Sequence, residues 1–453
     1  MAWGLGRRLA TWVERAAQPL PGRRREFGIY WLATFLINGA WGLTMPLLSV
    51  YLYESGMSLA AVGLVQALAG LSAFVSQAVV GTLSDRRASR RTYLILSTAA
   101  TVPVFLAIPH LQGVVLALAV MINGLLMATY VTMLYASVTA LGRPGAAGRT
   151  FAFYRISGSV GWCITTSSLG WVLAWGGIPG AYRLGAGLFV VITLFLLVSL
   201  RAPVAAAPAP AAAHLPAGAS EGTAEPGAPR IPAARMAPVL ETVPDPRRIL
   251  RHPELRLFYL AASLFVFAQT AGGVYFPIFL REGLQVSDRL FGILQAVPSM
   301  CEVPFMLFFG RAGDRWGTAR PLLAGYLAGV VRWTVLPFLA APASLVMIQA
   351  LQAFSFSAGE ILNVSHLSER IGVGARGTAV GLLSSFQALG KVTAPVLAGI
   401  IGDAAGLRTV FFLAAGAMGL ATGFMDASRR LEARSGGAWA MPGPERPGYG
   451  DEA

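Results

Sequence analysis

Arg155, Glu302, Arg332, Glu360 and Lys391 all fall inside long apolar stretches of the chain. A charged group in hydrocarbon costs several kcal/mol, about 3 on insertion scales, and persists only beside a partner or a wet cavity. Lys391 is the one lysine among 35 basic residues and sits near the middle of the apolar run 377–402. Gln387 and Pro395 lie one turn from it, and Ser384 two turns back, on the same helix face. Such a lysine could bind an anionic group, neutralise Glu360, or form an ion pair that fixes helix packing. Arg155 and Trp162 are seven residues apart and so share a helix face. A guanidinium fork suits paired hydroxyls, and an indole suits a flat C–H surface. The alternative is an arginine at a helix end beside a packing tryptophan.

Glu360, Asn363 and His366 recur at intervals of three, so neighbours in the series share a face. Glu360 in a low-dielectric site is suited to carry a proton. His366 and Glu369 approach the end of their segment and are expected to be solvated there. Arg332 is expected to pair with a nearby carboxylate. The two cysteines, Cys163 and Cys301, suggest neither a disulfide nor a metal site. With four histidines, no Gly-rich nucleotide loop, no zinc spacing and no Ser/His/Asp cluster, the chain reads as neither an enzyme nor an ATP-driven pump, and no cofactor is expected.

The elements that must position these groups follow from composition. The 453 residues are 55% hydrophobic and 12% charged, against about 25% charged in a soluble domain. A spanning helix needs about 20 mainly apolar residues. That rule predicts twelve spans: 29–53, 59–81, 92–109, 112–140, 151–175 and 181–200, then 256–280, 288–310, 320–340, 343–369, 377–402 and 407–427. The fold class is therefore all-α integral membrane.

A net charge of +14 would suggest nucleic acid in a soluble protein. Here Arg86, Arg87, Arg90, Arg91, Arg143, Arg149, Arg311, Arg315, Arg320, Arg370 and Arg376 fall in alternate loops, and only a few, including Arg183, Arg281, Arg289 and Arg408, in the others. This positive-inside pattern puts both termini in the cytoplasm and argues against nucleic acid. The expected organisation is a cytoplasmic tail over 1–28, a six-helix bundle over 29–200, a Pro/Ala-rich cytoplasmic linker over 201–255, a second bundle over 256–427 and a disordered tail over 428–453. Repeated prolines keep the apolar-looking linker from spanning.

The two halves share a signature. Gly81, Asp85 and Arg86 follow the second span, and Gly310, Asp314 and Arg315 the eighth, each as Gly-x-x-x-Asp-Arg with further arginine beyond. Two copies six spans apart indicate an internal repeat. The pair resembles the loop signature of the major facilitator superfamily, and the likeness covers nearly the whole chain. The first copy has Ala88 where that family usually has glycine, whereas the second keeps Gly317. The resemblance implies two pseudo-symmetric six-helix bundles around a central cavity, exchanging access by rocking, with these loops as gating elements.

The segment Arg155 to Trp162 resembles that of lactose/proton symporters and related sugar transporters, where the arginine bonds sugar hydroxyls and the tryptophan stacks on the ring. Those transporters carry a carboxylate on the preceding span, and residues 130–140 contain none. They also carry a lysine near the position of Lys391. The same likeness implies that helices five and eight meet between bundles, so that Arg155 and Glu302 could pair as an ion pair or a proton-linked gate. It also implies that spans one, four, seven and ten line the cavity with Asn38, Trp41, Asn123, Tyr130, Gln269 and Tyr275. Pro46 and Pro277 are expected to kink spans one and seven as gates. The expectation is a proton-linked secondary transporter of a small polar solute, sugar-like or an organic acid, acting as a monomer in the cell inner membrane. A multidrug efflux antiporter is the alternative, and a non-transporting receptor the third reading.

Overall fold

In a computed structural model of the chain, the structure describes residues 20, 22–87, 90–141, 147–200, 246–371 and 375–434. Most of the predicted linker and most of both tails lie outside the described residues. Of Gly81, Asp85 and Arg86, only the helical backbone is described.

The described segments are helical almost throughout, as a bilayer requires. Without water to satisfy N–H and C=O groups, a spanning segment must satisfy them internally. The first bundle comprises α1 (Arg24–Glu54), α2 (Leu59–Arg87), α3 (Arg90–Ala107) and α4 (Gly113–Thr139), followed by a continuous helical run Ala147–Ser199. That run breaks at Gly177, whose φ of 59° and ψ of −160° are non-helical. A left-handed φ is accessible there because glycine has no Cβ, and the break yields α5 (147–176) and α6 (178–199). A short helix, Pro246–Arg251, precedes the second bundle. This bundle comprises α7 (Pro253–Ile278), α8 (Asp288–Trp316), α9 (Ala319–Val335), α10 (Pro342–Arg370), α11 (Arg376–Ala405) and α12 (Leu407–Arg434). Pro46 lies within α1. Pro277 lies at the end of α7, directly before a π-turn over Phe279–Gly283.

Packing inside the halves is equivalent pair for pair. In the first, α1 runs along α5 and α6, α2 along α4, and α3 along α4 and α6. In the second, α7 runs along α11 and α12, α8 along α10, and α9 along α10 and α12. Adding six to each helix number converts one list into the other. The halves meet along two seams, α2 with α11 and α5 with α8, which the same operation exchanges.

The seams are tight at one end only. At the face where α1 and α7 end (the far face), the backbones touch. A Cβ on Gly63 would overlap the Pro395 carbonyl, and one on Gly292 would come within 2.6 Å of the Thr166 carbonyl. Small residues permit such approach between membrane helices. Toward the face where the chain enters α1 and leaves α12 (the linker face), α2 and α11 diverge. Phe74 and Gln77 lie on the side of α2 that bears Leu59 and Gly63, since 18 residues make five turns. Leu59 is buried, whereas Phe74 and Gln77 are exposed. The molecule is open to the linker face and closed to the far face.

Candidate functional site

Lys391 lies on α11 seven residues before Ala398, hence on the same face, and Ala398 is fully buried. Ile400, half a turn round the helix from Lys391, is exposed on the outside with Leu389. Lys391 therefore faces the wedge between the bundles, where it is exposed. No side-chain hydrogen bond or ion pair joins it to another described residue.

Arg155 enters the same space from α5. Its Nη1 donates to the Tyr135 hydroxyl of α4 at 2.9 Å. The partner of Arg155 on the preceding helix is thus a neutral phenol, not a carboxylate. Glu302 of α8 and Glu360 of α10, both from the opposite bundle, lie within the electrostatic field of Arg155. Arg155 and Glu302 form no direct ion pair. Instead, Ser159, one turn along α5 from Arg155, donates to Glu302 Oε2 at 3.0 Å. Trp162, one turn further, is half-buried in the same seam, its Nε1 pointing to the Gln295 carbonyl at 3.4 Å. Below Tyr135, a cavity of about 350 Å³ is lined by Gln77, Val131, Thr132, Tyr135, Ala136 and Thr139.

Other expected members are placed elsewhere. Glu360 is exposed to the wedge, but Asn363 is buried and accepts from the Tyr326 hydroxyl of α9 at 2.9 Å. His366 is 1% exposed, not solvated, with Nδ1 2.9 Å from Thr318 Oγ1 and Nε2 3.3 Å from Glu432. The cause is helical drift: each step of three falls about 60° short of a full turn. Two steps carry His366 about 120° away from Glu360, into the bundle. Arg332 has no carboxylate partner among the described residues. Its Nη2 donates to Gln349 Oε1 at 3.0 Å, and its guanidinium lies 3.6 Å from the Trp333 ring centroid.

The amides divide similarly. Asn38 donates to its own helix at Thr34 O, 2.9 Å away, and packs on Gly158 in the α1–α5 contact. Asn123 is half-buried on α4. Gln269 on α7 has both side-chain polar atoms enclosed without a hydrogen-bond partner. Trp41 and Tyr130 bond each other within the first bundle at 2.7 Å. Tyr275 reaches the far end of the α2–α11 seam, 2.9 Å from Leu59 O and 2.6 Å from Pro395 O. Of the second loop signature, Asp314 and Arg315 are exposed, and Gly310 is open to a side chain, with no atom within 4 Å of a Cβ built there.

The group facing the wedge is thus Arg155 with Tyr135, Glu302 with Ser159, Glu360 and Lys391. Two cations and two carboxylates lie on the helices that meet between bundles related by a repeat. The model of the MFS_1 like family matches residues 29–413. The chain belongs to that family. It is a membrane transporter of the major facilitator superfamily, and not an enzyme.

Two relatives of this family member align over most of its length. A protein of Deinococcus radiodurans, provisionally named a sugar efflux transporter, is 27% identical over 400 residues, covering 87% of this chain and 95% of its own. The multidrug resistance protein MdtG of Citrobacter koseri is 24% identical over 417 residues, covering 87% and 92%. Among solved structures, the nucleoside transporter NupG superposes with a TM-score of 0.70 at 16% identity, covering 89% of this chain and 99% of that one. At that identity the likeness concerns the fold alone.

Proposed function

We propose that this transporter carries a sugar-like solute through the wedge by alternating access, coupled to protons. The observation that carries the reading is Arg155. One of its N–H groups is held by Tyr135, which sets the plane of the guanidinium and leaves the rest of the fork for ligand hydroxyls. Trp162 contributes an aromatic surface one helical repeat away. The name of the Deinococcus radiodurans relative supports a sugar as solute and export as direction.

Glu302 and Glu360 are the proposed proton carriers, since both face Arg155 from the opposite bundle. Protonating either removes an attraction across the passage, which ties proton binding to the spacing of the bundles. Lys391 supplies a compensating charge or a contact to an electronegative group. Asn38, Asn123 and Gln269 are secondary polar contacts, and Asn363 serves through Tyr326 rather than by touching the solute. The paired signatures at Gly81, Asp85 and Arg86 and at Gly310, Asp314 and Arg315 act as gates at the linker face. The arginine distribution supports a cytoplasmic position for that face, and we take the membrane to be the cell inner membrane and the working unit to be a monomer.

The similarity to MdtG favours one further reading, efflux of larger amphipathic compounds. Proteoliposome flux of a panel of sugars, aromatic acids and cationic dyes, with and without a pH gradient, separates the two. Gradient-dependent flux of a sugar is expected. Flux of dyes alone would replace the sugar reading with the efflux one, and no dependence on the gradient would remove the protons.

A further inference from the structure

Asp403, at the far end of α11, ties the second bundle to the first at a point that neither the sequence signatures nor the polar passage includes. Its Oδ1 accepts from the Leu59 backbone N–H at 2.8 Å, and its Oδ2 from that of Ala60 at 2.9 Å. Leu59 and Ala60 open α2. The first N–H groups of a helix have no partner within it, and they carry the positive end of its dipole. Such groups are ordinarily satisfied by the residue just before the helix. Here Ser58 does so for Ala61, its Oγ accepting at 3.2 Å, while the other two donors are satisfied from a helix 344 residues away in sequence.

The neighbouring contacts have the same orientation. The Tyr275 hydroxyl lies between the Leu59 and Pro395 carbonyls, and Arg281 approaches Glu54 at 3.8 Å. The other seam is built differently. At the start of α8, the local Ser287 accepts from Leu290, and Asp288 is paired with Arg281 of its own bundle at 2.7 Å. Capping from the opposite bundle is described at the α2–α11 seam only.

We infer that Asp403 is the latch of the far gate: it caps α2 while the passage faces the linker side and must leave α2 before the passage can open to the far side. This rests on the alternating-access part of the proposed function and not on the identity of the solute. A capping carboxylate at an exposed helix end shifts an equilibrium by about fivefold, and up to about thirtyfold in favourable cases.

The test uses the full-length protein in nanodiscs without solute, so that a wrong solute cannot affect it. Cys163 and Cys301 are replaced by serine, and spin labels are placed at His110 and Phe338. Both are exposed residues at the far ends of peripheral helices, one on each bundle. Asp403→Asn leaves one acceptor oxygen for the two N–H groups and is expected to raise the ratio of long to short label distances by about fivefold, the cost of one lost hydrogen bond, with Asp403→Glu restoring much of the parent distribution. Ala60→Pro removes one donor from the opposite side, at a helix position that tolerates proline. The two changes combined should shift the ratio by clearly less than the product of their separate effects. Parent-like distances in both Asp403→Asn and Ala60→Pro, or fully multiplicative effects, would overturn the latch. Should Asp403→Asn not fold, Ala60→Pro alone decides, because an unchanged distribution there overturns it equally.

Discussion

Replacing Arg155 by lysine keeps the charge in the field of Glu302 and Glu360 and removes only the fork. Lysine is a single flexible donor site, and no second N–H remains fixed for a ligand once the Tyr135 hydroxyl is satisfied. Losing one hydrogen bond from a charged donor costs about 1.5–3 kcal/mol, or about 10- to 150-fold in dissociation constant. Tyr135→Phe provides the calibration. It removes an acceptor 2.9 Å from Nη1 but no proposed ligand contact, so it weakens ligand binding only indirectly, by freeing the fork to rotate. The loss in affinity should therefore stay below that of a direct charged contact, under about 1.5 kcal/mol or about 12-fold. Counterflow exchange of a labelled glycoside measures both, because it needs no proton gradient and isolates binding from coupling. The expected order is parent, then Tyr135→Phe, then Arg155→Lys. An Arg155→Lys protein with parent affinity would refute the clamp, and so would a Tyr135→Phe protein weaker than Arg155→Lys.

Glu360→Gln and Lys391→Ala should leave folded protein that still exchanges solute but has lost gradient-driven accumulation; undiminished accumulation in both would remove them from coupling. Gln349→Leu takes from Arg332 its one side-chain acceptor among the described residues and leaves a buried cation. It should destabilise the protein by about 1.5–3 kcal/mol, visible as a lowered Tm in detergent, and an unchanged Tm would show that another group satisfies the guanidinium. Gly63→Val places methyl groups where the Pro395 carbonyl now lies, so the far seam should stay apart and the label distance between His110 and Phe338 lengthen. The parent distance would mean that the seam yields elsewhere.

The twelve helices were legible because a bilayer leaves the backbone no alternative, and run length is a sufficient signal. The six-and-six division was equally visible, since two copies of one loop signature fix the repeat. Side-chain direction was less legible. Spacing by three suggested one face for Glu360, Asn363 and His366, but cumulative rotation sends the last into a bundle against Glu432. Arg332 looked like half of an ion pair because charge alone was considered, whereas its neighbours are an amide and aromatic rings. Tyr135 was missed because the expected partner of Arg155 was an acid, and a phenol raises no alarm in an apolar helix. The signal available was its position twenty residues before Arg155, across one short loop. Asp403 carried no motif at all. Its role depends on which helix ends meet across the seam, and that follows only from packing the two bundles together.

Alternation also constrains how strong such ties can be. Moving an equilibrium from 1:99 to 99:1 takes about 5.5 kcal/mol of differential binding, and coupling between sites is usually about 1–3 kcal/mol. A far gate held by several buried ion pairs would exceed what one small solute and one proton can reverse. The observed ties are of the weak kind. Asp403 is exposed, Glu54 and Arg281 are 3.8 Å apart and partly solvated, and exposed pairs contribute about 0–1 kcal/mol each. The more deeply placed contact, Ser159 to Glu302, belongs to a group that a proton can neutralise. The closed end is therefore held by interactions small enough to be opposed by ligand binding, and the contact that protonation can switch lies deeper, in the wedge. On this argument, Glu302→Gln should mimic the protonated state, weaken the α5–α8 seam and make the conformational ratio insensitive to pH. A Glu302→Gln protein whose label distances still respond to pH as the parent's do would place the switch at another group.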